Sequence, residues 1–501
     1  MSLPYYLKAK RLDFSTGQAL IAMLNEEEAY HFGIHAGDKI ALSWRGNKRA
    51  VVEVNLSDKR IKPGQIGLYE EIWSKHDIET NEIMEVSVLG RPASIKAIQR
   101  KLLGKQLTEE ECFSIIKDIV NNRISNTEIT YFVAATYMYP YTNNELYYMT
   151  KAVAETGDII KYTGLVVDKH SVGGVAGNRT TMLIIPIVAS LGLKIPKTSS
   201  RAITSPSGTS DTMEVLAPVT FTAADMKAIV AKTNSCMVWG GGFNLAPADD
   251  RILKVTYPLS LEPYDKMIVS IMAKKVATSV NHLIIDMPVG DTAKIPDMKT
   301  ANMLEKKFLY IGKRFGMKMK VIKTTTLDPI GKGIGPSLES RDVLRVLQRK
   351  DTRPLDLETK GVRLAGELLE LAGKAKKGEG KAMAMKQLES GAAWKQMQKI
   401  IKAQGGNEKI DSEDITIGAI KYYVDAPKSG KITFTNNKNI NTLCRILGAP
   451  AEKMAGIYLN VEYGDTVKKG ERMFTLYAQS QQRMELAKVA LKKTKIFTIG
   501  K

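Results

Sequence analysis

The stretch VDKHSVGGVAGNRTT, Val167 to Thr181, follows an apolar run and gathers a cation, hydroxyls and glycines. Lys169 supplies the charge and Ser171 a hydroxyl. Gly173, Gly174 and Gly177 let backbone N–H groups approach a ligand closely. Thr180 and Thr181 then open a helix, whose amino end favours an anion. The glycine spacing fits neither a Walker A loop nor a dinucleotide fingerprint, and a plain Gly-rich connection would look similar. A second stretch, TSSRAITSPSGTSDTME, runs from Thr198 to Glu214 and is dense in Ser and Thr, with Arg201 and Gly208 among them. Its hydroxyls and backbone donors could address phosphate oxygens. The apolar flanks LGLKIP and MEVLAPV argue against a free linker.

Two further stretches carry charge. YPLSLEPYDKMIVSIMAKK contains Glu262, Ser270, Lys274 and Lys275 and reads as a helix from Asp265 onward. Standing alone, Glu262 would be no more than a dipole partner at a helix start. IDMPVGDTAKIP reads as a strand-end loop bearing Asp286, Asp291 and Lys294, and a lysine there is ordinarily just solvated. His31, His35, His76 and His282 have no metal-ligand spacing. His170 lies in the first loop. No G-x-S-x-G element supports a covalent nucleophile.

The elements that must position these residues follow from pattern. KIALSW and RAVVEVNL are strand-like, so residues 1–88 form a β-rich N-terminal domain. From GRPAS the texture becomes helical. Thr108 and Glu111 have capping-box spacing ahead of Cys112, Ile115, Ile116, Ile119 and Val120. Ser125 and Glu128 repeat the box before Ile129, Phe132, Val133, Thr136 and Tyr137, all expected in the core. A helical domain is expected over 89–160, completed by about 246–278. Strands and helices then alternate through 161–245 and 279–410, which argues for a mainly parallel sheet with ligand loops at the carboxyl ends of its strands. Over 411–501, APKSGKITF and LNVEYGDTVKKGERMFTLYA read as hairpins turning at Gly464-Asp465 and Lys469-Gly470. The G-D-x-V-x-x-G run suits a barrel-sandwich, but no lysine has the context of a biotin or lipoate carrier.

The bulk properties bound the answer. With 501 residues, roughly two to four domains are expected. The 44% apolar content can bury a sizeable core. The formal charge of +20 admits nucleic acid, anionic membrane or small anions as partners. The lysines are spread along the chain, and there is no arginine-rich arm or basic repeat interleaved with aromatics, which disfavours nucleic acid. Cys112, Cys236 and Cys444 are too far apart for a zinc frame and suit a reducing compartment. With no signal-peptide core and no membrane-length apolar run, a cytoplasmic protein is expected.

At its four charged stretches the chain resembles the thymidine/pyrimidine-nucleoside phosphorylase family, and more closely its archaeal, AMP-cleaving branch. The likeness runs through the additional N-terminal domain, GRPAS, DKHSVGG, PIGKGIGPSLESRDVL and the C-terminal segment. It implies an α/β fold in which a nucleoside phosphorylase-type helical domain accompanies a mainly parallel α/β domain, with a β-rich domain before them and an α+β, barrel-sandwich-like part after. Bacterial thymidine phosphorylases share DKHS and SIMAKK, but they carry a different second loop and an arginine near the YPLS position that reads the pyrimidine. Here KVTYPLS offers none. The second loop also resembles an element of anthranilate phosphoribosyltransferase, which binds a phosphorylated ribose.

The resemblance implies the reaction AMP plus phosphate to adenine plus ribose 1,5-bisphosphate, with CMP and UMP as further substrates. It implies nucleotide contacts at Gly174, Ser200, Arg201, Ala202, Ile203, Thr204, Ser205, Thr209, Ser270 and Lys294. Lys169, Ser171, Thr181 and Ser199 would hold inorganic phosphate, and Glu262 would donate a proton from a position where the branch carries aspartate. Inorganic phosphate is a co-substrate, and neither metal nor organic cofactor is implied. The family assembles at least as homodimers. A pyrimidine-nucleoside phosphorylase, a Mg²⁺-dependent phosphoribosyltransferase and a non-catalytic nucleotide or nucleic-acid binder remain the competing readings.

Overall fold

The computed structural model describes residues 5–17, 19–202, 205–256 and 263–500. The chain divides into two compact units, Met1–Ala152 with Ala248–Leu261, and Val153–Pro247 with Glu262–Lys501. Ile203, Thr204 and Glu262, three of the residues singled out above, lie outside the described residues.

In the first unit six strands close into a barrel: β1 (Tyr5–Arg11), β2 (Ile21–Leu24), β3 (Lys39–Trp44), β4 (Lys48–Leu56), β5 (Gln65–Leu68) and β6 (Ile83–Val88). Their order is β1-β5-β2-β4-β3-β6, with β1–β5 and β2–β4 parallel. Alternation of buried and outward residues along β1 and β4 supplies the barrel interior, including Leu7, Val52 and Val54. Closure leaves no unpaired edge.

Helices Ser94–Leu102, Glu109–Val120, Asn126–Met138 and Asn143–Glu155 follow. Both capping boxes form: Thr108 and Ser125 each accept from the N–H of the residue three ahead, while Glu111 and Glu128 reach back. The expected stripes are buried except Val120, which is half-buried, and Tyr137, which is 56% exposed. Tyr137 stands in the last turn before the helix ends at Met138. Lys101 and Glu145 form a fully buried pair at 2.7 Å, with the Leu107 N–H also donating to Glu145.

The second unit is built on parallel strands. β7 (Val167–Ser171), β10 (His282–Val289) and β11 (Lys318–Thr325) form one sheet in the order β11-β10-β7. β8 (Ile195–Ser199) and β9 (Ser235–Trp239) pair in parallel, and a parallel bridge between Val166 and Lys194 sets β8 beside β7. From β7 the chain therefore steps outward to β8 and β9, then returns to the other flank of β7 as β10 and β11. The order reverses at the β7–β10 pair, the place where open parallel sheets form a ligand crevice at their carboxyl ends. Helix Thr180–Ser190 is buried along its length and packs with Leu355–Leu371 and Ala392–Ala403 in one extended core.

Two boundaries differ from expectation. β7 continues through Ser171, so His170 is a strand residue paired with Ile285 rather than part of a loop. Asp286 likewise lies inside β10.

The C-terminal segment departs from the hairpin expectation. β12 (Gly333–Ile334), β15 (Gly456–Leu459), β17 (Arg472–Ala478) and β13 (Ile420–Asp425) form one sheet. β16 (Thr466–Val467), β14 (Gly430–Thr435) and β18 (Phe497–Ile499) form another. β13 does not pair with β14, nor β16 with β17. The turns at Gly464 and Gly470 exist, with φ of +95° and +86°, but each hands the chain from one sheet to the other. Ile432, Ile457, Leu476 and Met484 lie in their shared core.

Candidate active site

The carboxyl ends of β7, β8 and β10 bring most of the described sequence candidates into one region of the second unit. Lys169 is 1% exposed. Its Nζ lies 3.2 Å from Asp286 Oδ2 and donates to Thr180 Oγ1 at 2.9 Å, with Thr181 Oγ1 at 3.5 Å. Asn178 donates to Ser171 Oγ at 3.4 Å and to Asp286 at 3.3 Å. Helix Thr180–Ser190 thus begins against a lysine of the strand before it.

Two glycines close this loop against its neighbours, and a third, Gly290, does the same for the loop after β10. Gly174 has φ +89°, and a Cβ on it would come 2.3 Å from the Lys294 backbone N. Only glycine allows that approach, which draws the loop after β10 onto the loop after β7. A Cβ on Gly177 would meet Ile330 O at 2.4 Å, and one on Gly290 would meet Thr326 O at the same distance.

The Ser/Thr-rich loop sits alongside. Arg179 donates to Thr209 Oγ1 at 3.1 Å and to Ser207 O at 2.9 Å, so one side chain ties the two loops together. Its remaining nitrogen pairs with the buried Glu339. Burial pushes the Glu339 carboxyl up, partly offset by Arg179. Ser199 Oγ and Ser210 Oγ are 2.6 Å apart. The Ala202 N–H donates to Asp211 at 2.7 Å and the Gly208 N–H does so at 2.8 Å. Ser205 donates to Ser207 O. Arg201, implied by the resemblance to face the nucleotide, is instead bidentate on Glu214 at 2.7 Å twice and lies over Trp239. That hydrogen bonding takes the Glu214 carboxyl down to about 2. The charge of Arg201 is committed to shaping the loop.

Beneath both loops is a buried charge cluster. Lys197 Nζ donates to Asp168 Oδ1 at 3.1 Å and to Lys169 O at 2.6 Å. Lys275, on helix Tyr264–Ala277, donates to Asp168 Oδ2 at 2.5 Å. Lys360 Nζ approaches Asp286 Oδ1 at 3.4 Å. Four lysines therefore share two aspartates, and all six residues are buried. Burial alone would raise the Asp168 carboxyl, but the attraction of Lys197 and Lys275 holds it below the usual range. Burial brings Lys169 down to about 8 despite Asp286, with Lys360 adding repulsion. Lys197 falls to about 7, from burial and from Lys275 and Lys169. Burial and the same lysines keep His170 neutral, and its Nδ1 has no hydrogen-bond partner. Such a surplus of buried positive charge favours an anion at the strand ends.

Ser270 stands on the helix that delivers Lys275. Asp168, Lys197, Arg179 and Glu339 were not among the sequence candidates. The available signal was a charge inside an otherwise apolar strand, in LVVDKH and in KIPKTSS. In a parallel sheet covered on both faces such a group must be paired.

Three family profiles match: the helical bundle domain of a glycosyl transferase family over 95–157, its a/b domain over 163–394, and the pyrimidine nucleoside phosphorylase C-terminal domain over 431–497. Among solved structures, anthranilate phosphoribosyltransferases from Thermus thermophilus and Saccharomyces cerevisiae align with TM-scores of 0.52 and 0.51 at 17% identity. Each alignment covers 62% of this chain and 99% or 98% of the other. Fold and domain matches together define a glycosyltransferase with a helical bundle, an α/β domain and a phosphorylase-type C-terminal domain. AMP phosphorylases of Pyrococcus furiosus and Methanocella arvoryzae are 41% and 38% identical, over 96% of this chain and 95% of theirs. The chain belongs to the AMP phosphorylase family.

Proposed function

We propose that the protein catalyses the reversible phosphorolysis of AMP to adenine and ribose 1,5-bisphosphate, with CMP and UMP as alternative substrates. The observation that carries this reading is the pair of donor-rich loops, tied by Arg179, above four buried lysines that share two aspartates. Cleaving the N-glycosidic bond builds positive charge on the ribose. A phosphate held below C1′ stabilises that charge and is the nucleophile. The substrate's own 5′-phosphate is a second anion, so the site must offset repulsion between two phosphates.

Lys169, Ser171, Thr181 and Ser199 are assigned to inorganic phosphate. Gly174, Ser200, Ala202, Ser205, Thr209, Ser270 and Lys294 are assigned to the nucleotide, together with Ile203 and Thr204. Arg201 acts by holding its loop through Glu214. Backbone donors at the start of helix Thr180–Ser190 and at Gly174 are fixed before substrate arrives, the kind of preorganisation worth about 3 kcal/mol per donor. Neutral His170 offers a hydrogen-bonding nitrogen without adding charge. Glu262 is assigned the proton passed to the departing base, since nearby phosphates would raise its pKa towards neutrality. No step of this proposal is assigned to a metal. Among the described residues there is no cluster of His, Cys, Asp or Glu able to hold one. None of the helices there is long and apolar enough to cross a membrane.

The test is release of free base from AMP, CMP and UMP with and without phosphate, with adenosine as control and EDTA present. Phosphate-dependent release from AMP but not adenosine is expected. Cleavage of adenosine or uridine in preference would favour a nucleoside phosphorylase, and loss of activity in EDTA a phosphoribosyltransferase. Glu262→Gln is expected to lower kcat by about 10² to 10⁴ with little change in AMP affinity. Unchanged turnover removes Glu262 from the role.

A further inference from the structure

The first unit contains a cavity of about 720 Å³, far from the chemistry assigned above in sequence, where barrel residues meet the end of helix Glu109–Val120. Its volume lies in the range of small-molecule sites. Arg49 of β4, His76, Lys117 and Arg123 line it, and no Asp or Glu does. Arg49 and Lys117 are exposed and make no ion pair among the described residues. Arg123 has a long contact with Asp118 at 3.8 Å, and its Nε is buried with no hydrogen-bond partner.

More cations stand behind the lining. Lys75 is pushed below its usual range by partial burial and by Lys254 and Arg251. Arg251 is itself anchored on this junction, donating to Asn122 Oδ1 at 2.8 Å and to Ile119 O. Burial together with Lys75 and Lys48 keeps His76 neutral, so the imidazole is a hydrogen-bonding group rather than a further charge. Asn121 and Asn122 are the other polar lining residues, and Leu20, Ala50, Val51, Leu89 and Val120 supply an apolar floor. The junction is pinned where Asn122, at φ +59°, donates to Val51 O at 2.7 Å.

An apolar floor beside unpaired guanidinium and ammonium groups matches a flat, weakly polar ring joined to a phosphate. Cations crowded in one concavity repel one another, and an anion relieves that repulsion while guanidinium geometry favours phosphate oxygens. We propose that this cavity binds a nucleoside monophosphate at a site separate from the active site, with Arg49 and Lys117 on the phosphate and Val51, Leu89 and Val120 against the base.

The test is equilibrium dialysis of AMP, without phosphate, against the full chain and its Arg49→Ala/Lys117→Ala variant. The variant should bind one equivalent of AMP per chain fewer than the wild type, with turnover unchanged. The equivalent it loses should not be filled by adenosine, and inorganic phosphate should displace it only weakly. Equal AMP stoichiometry in the two chains overturns the proposal. So does adenosine filling the site as well as AMP, and so does inorganic phosphate emptying it as readily as AMP fills it. Because the readout is a difference between two chains, it stands whether or not AMP also occupies the active site.

Discussion

At the ends of β7 and β10, Lys169, Lys197, Lys275 and Lys360 are buried, and each has an aspartate within reach. In the first unit, Arg49 and Lys117 stand exposed around a cavity with no carboxylate in its lining. The buried cations are structural before they are functional. They set where the two loops begin, and only their excess over the aspartates is available to an anion. The exposed cations hold nothing together and are free for a ligand. Both arrangements attract anions, but only the first couples anion binding to the fold.

The comparison is sharpest at Asp168. Asp168→Asn leaves Lys197 and Lys275 buried without their shared partner and should cost about 3 to 5 kcal/mol. A urea midpoint close to wild type would mean the cluster is not structural. Lys169→Ala should lower turnover by about 100-fold and raise the KM for phosphate more than that for AMP. A rise confined to AMP would exchange the two anion assignments.

The pH dependence follows from the same group. Below about 8 Lys169 is an ammonium ion, and above it a neutral amine that no longer attracts phosphate. The kcat/KM for phosphate should therefore fall as pH rises through about 8, before an ordinary lysine would titrate. A level profile to pH 10 would remove Lys169 from the phosphate site. The smallest effect belongs to the other region: Arg49→Ala should change stability by no more than about 0.5 kcal/mol. A large loss would show that the cavity cations are structural too.

Local signals made much of this legible in sequence. The Thr108–Glu111 and Ser125–Glu128 boxes, the glycines of 173–177 and the alternation of strand and helix report on contacts a few residues apart. What depends on distant partners was not legible. The lysine that neutralises Asp168 comes from another strand, at 197, and the second from a helix, at 275. Hairpin signals at 464 and 470 named the turns correctly, yet not the sheets, because β17 finds β13 and β15 rather than its neighbour. The parallel pairings that close the barrel are equally non-local. Arg201 shows the same limit within a site: its loop was identifiable, whereas its commitment to Glu214 was not.

The central claim is that the loops following β7 and β8 seat two anions around one sugar. Crystals soaked with AMP and sulfate test it directly. The account predicts one anion at Lys169, Ser171, Thr181 and Ser199, and the nucleotide phosphate in the segment 200–209, both within reach of the same ribose. Two empty loops, or anions too far apart to share one ribose, would contradict it.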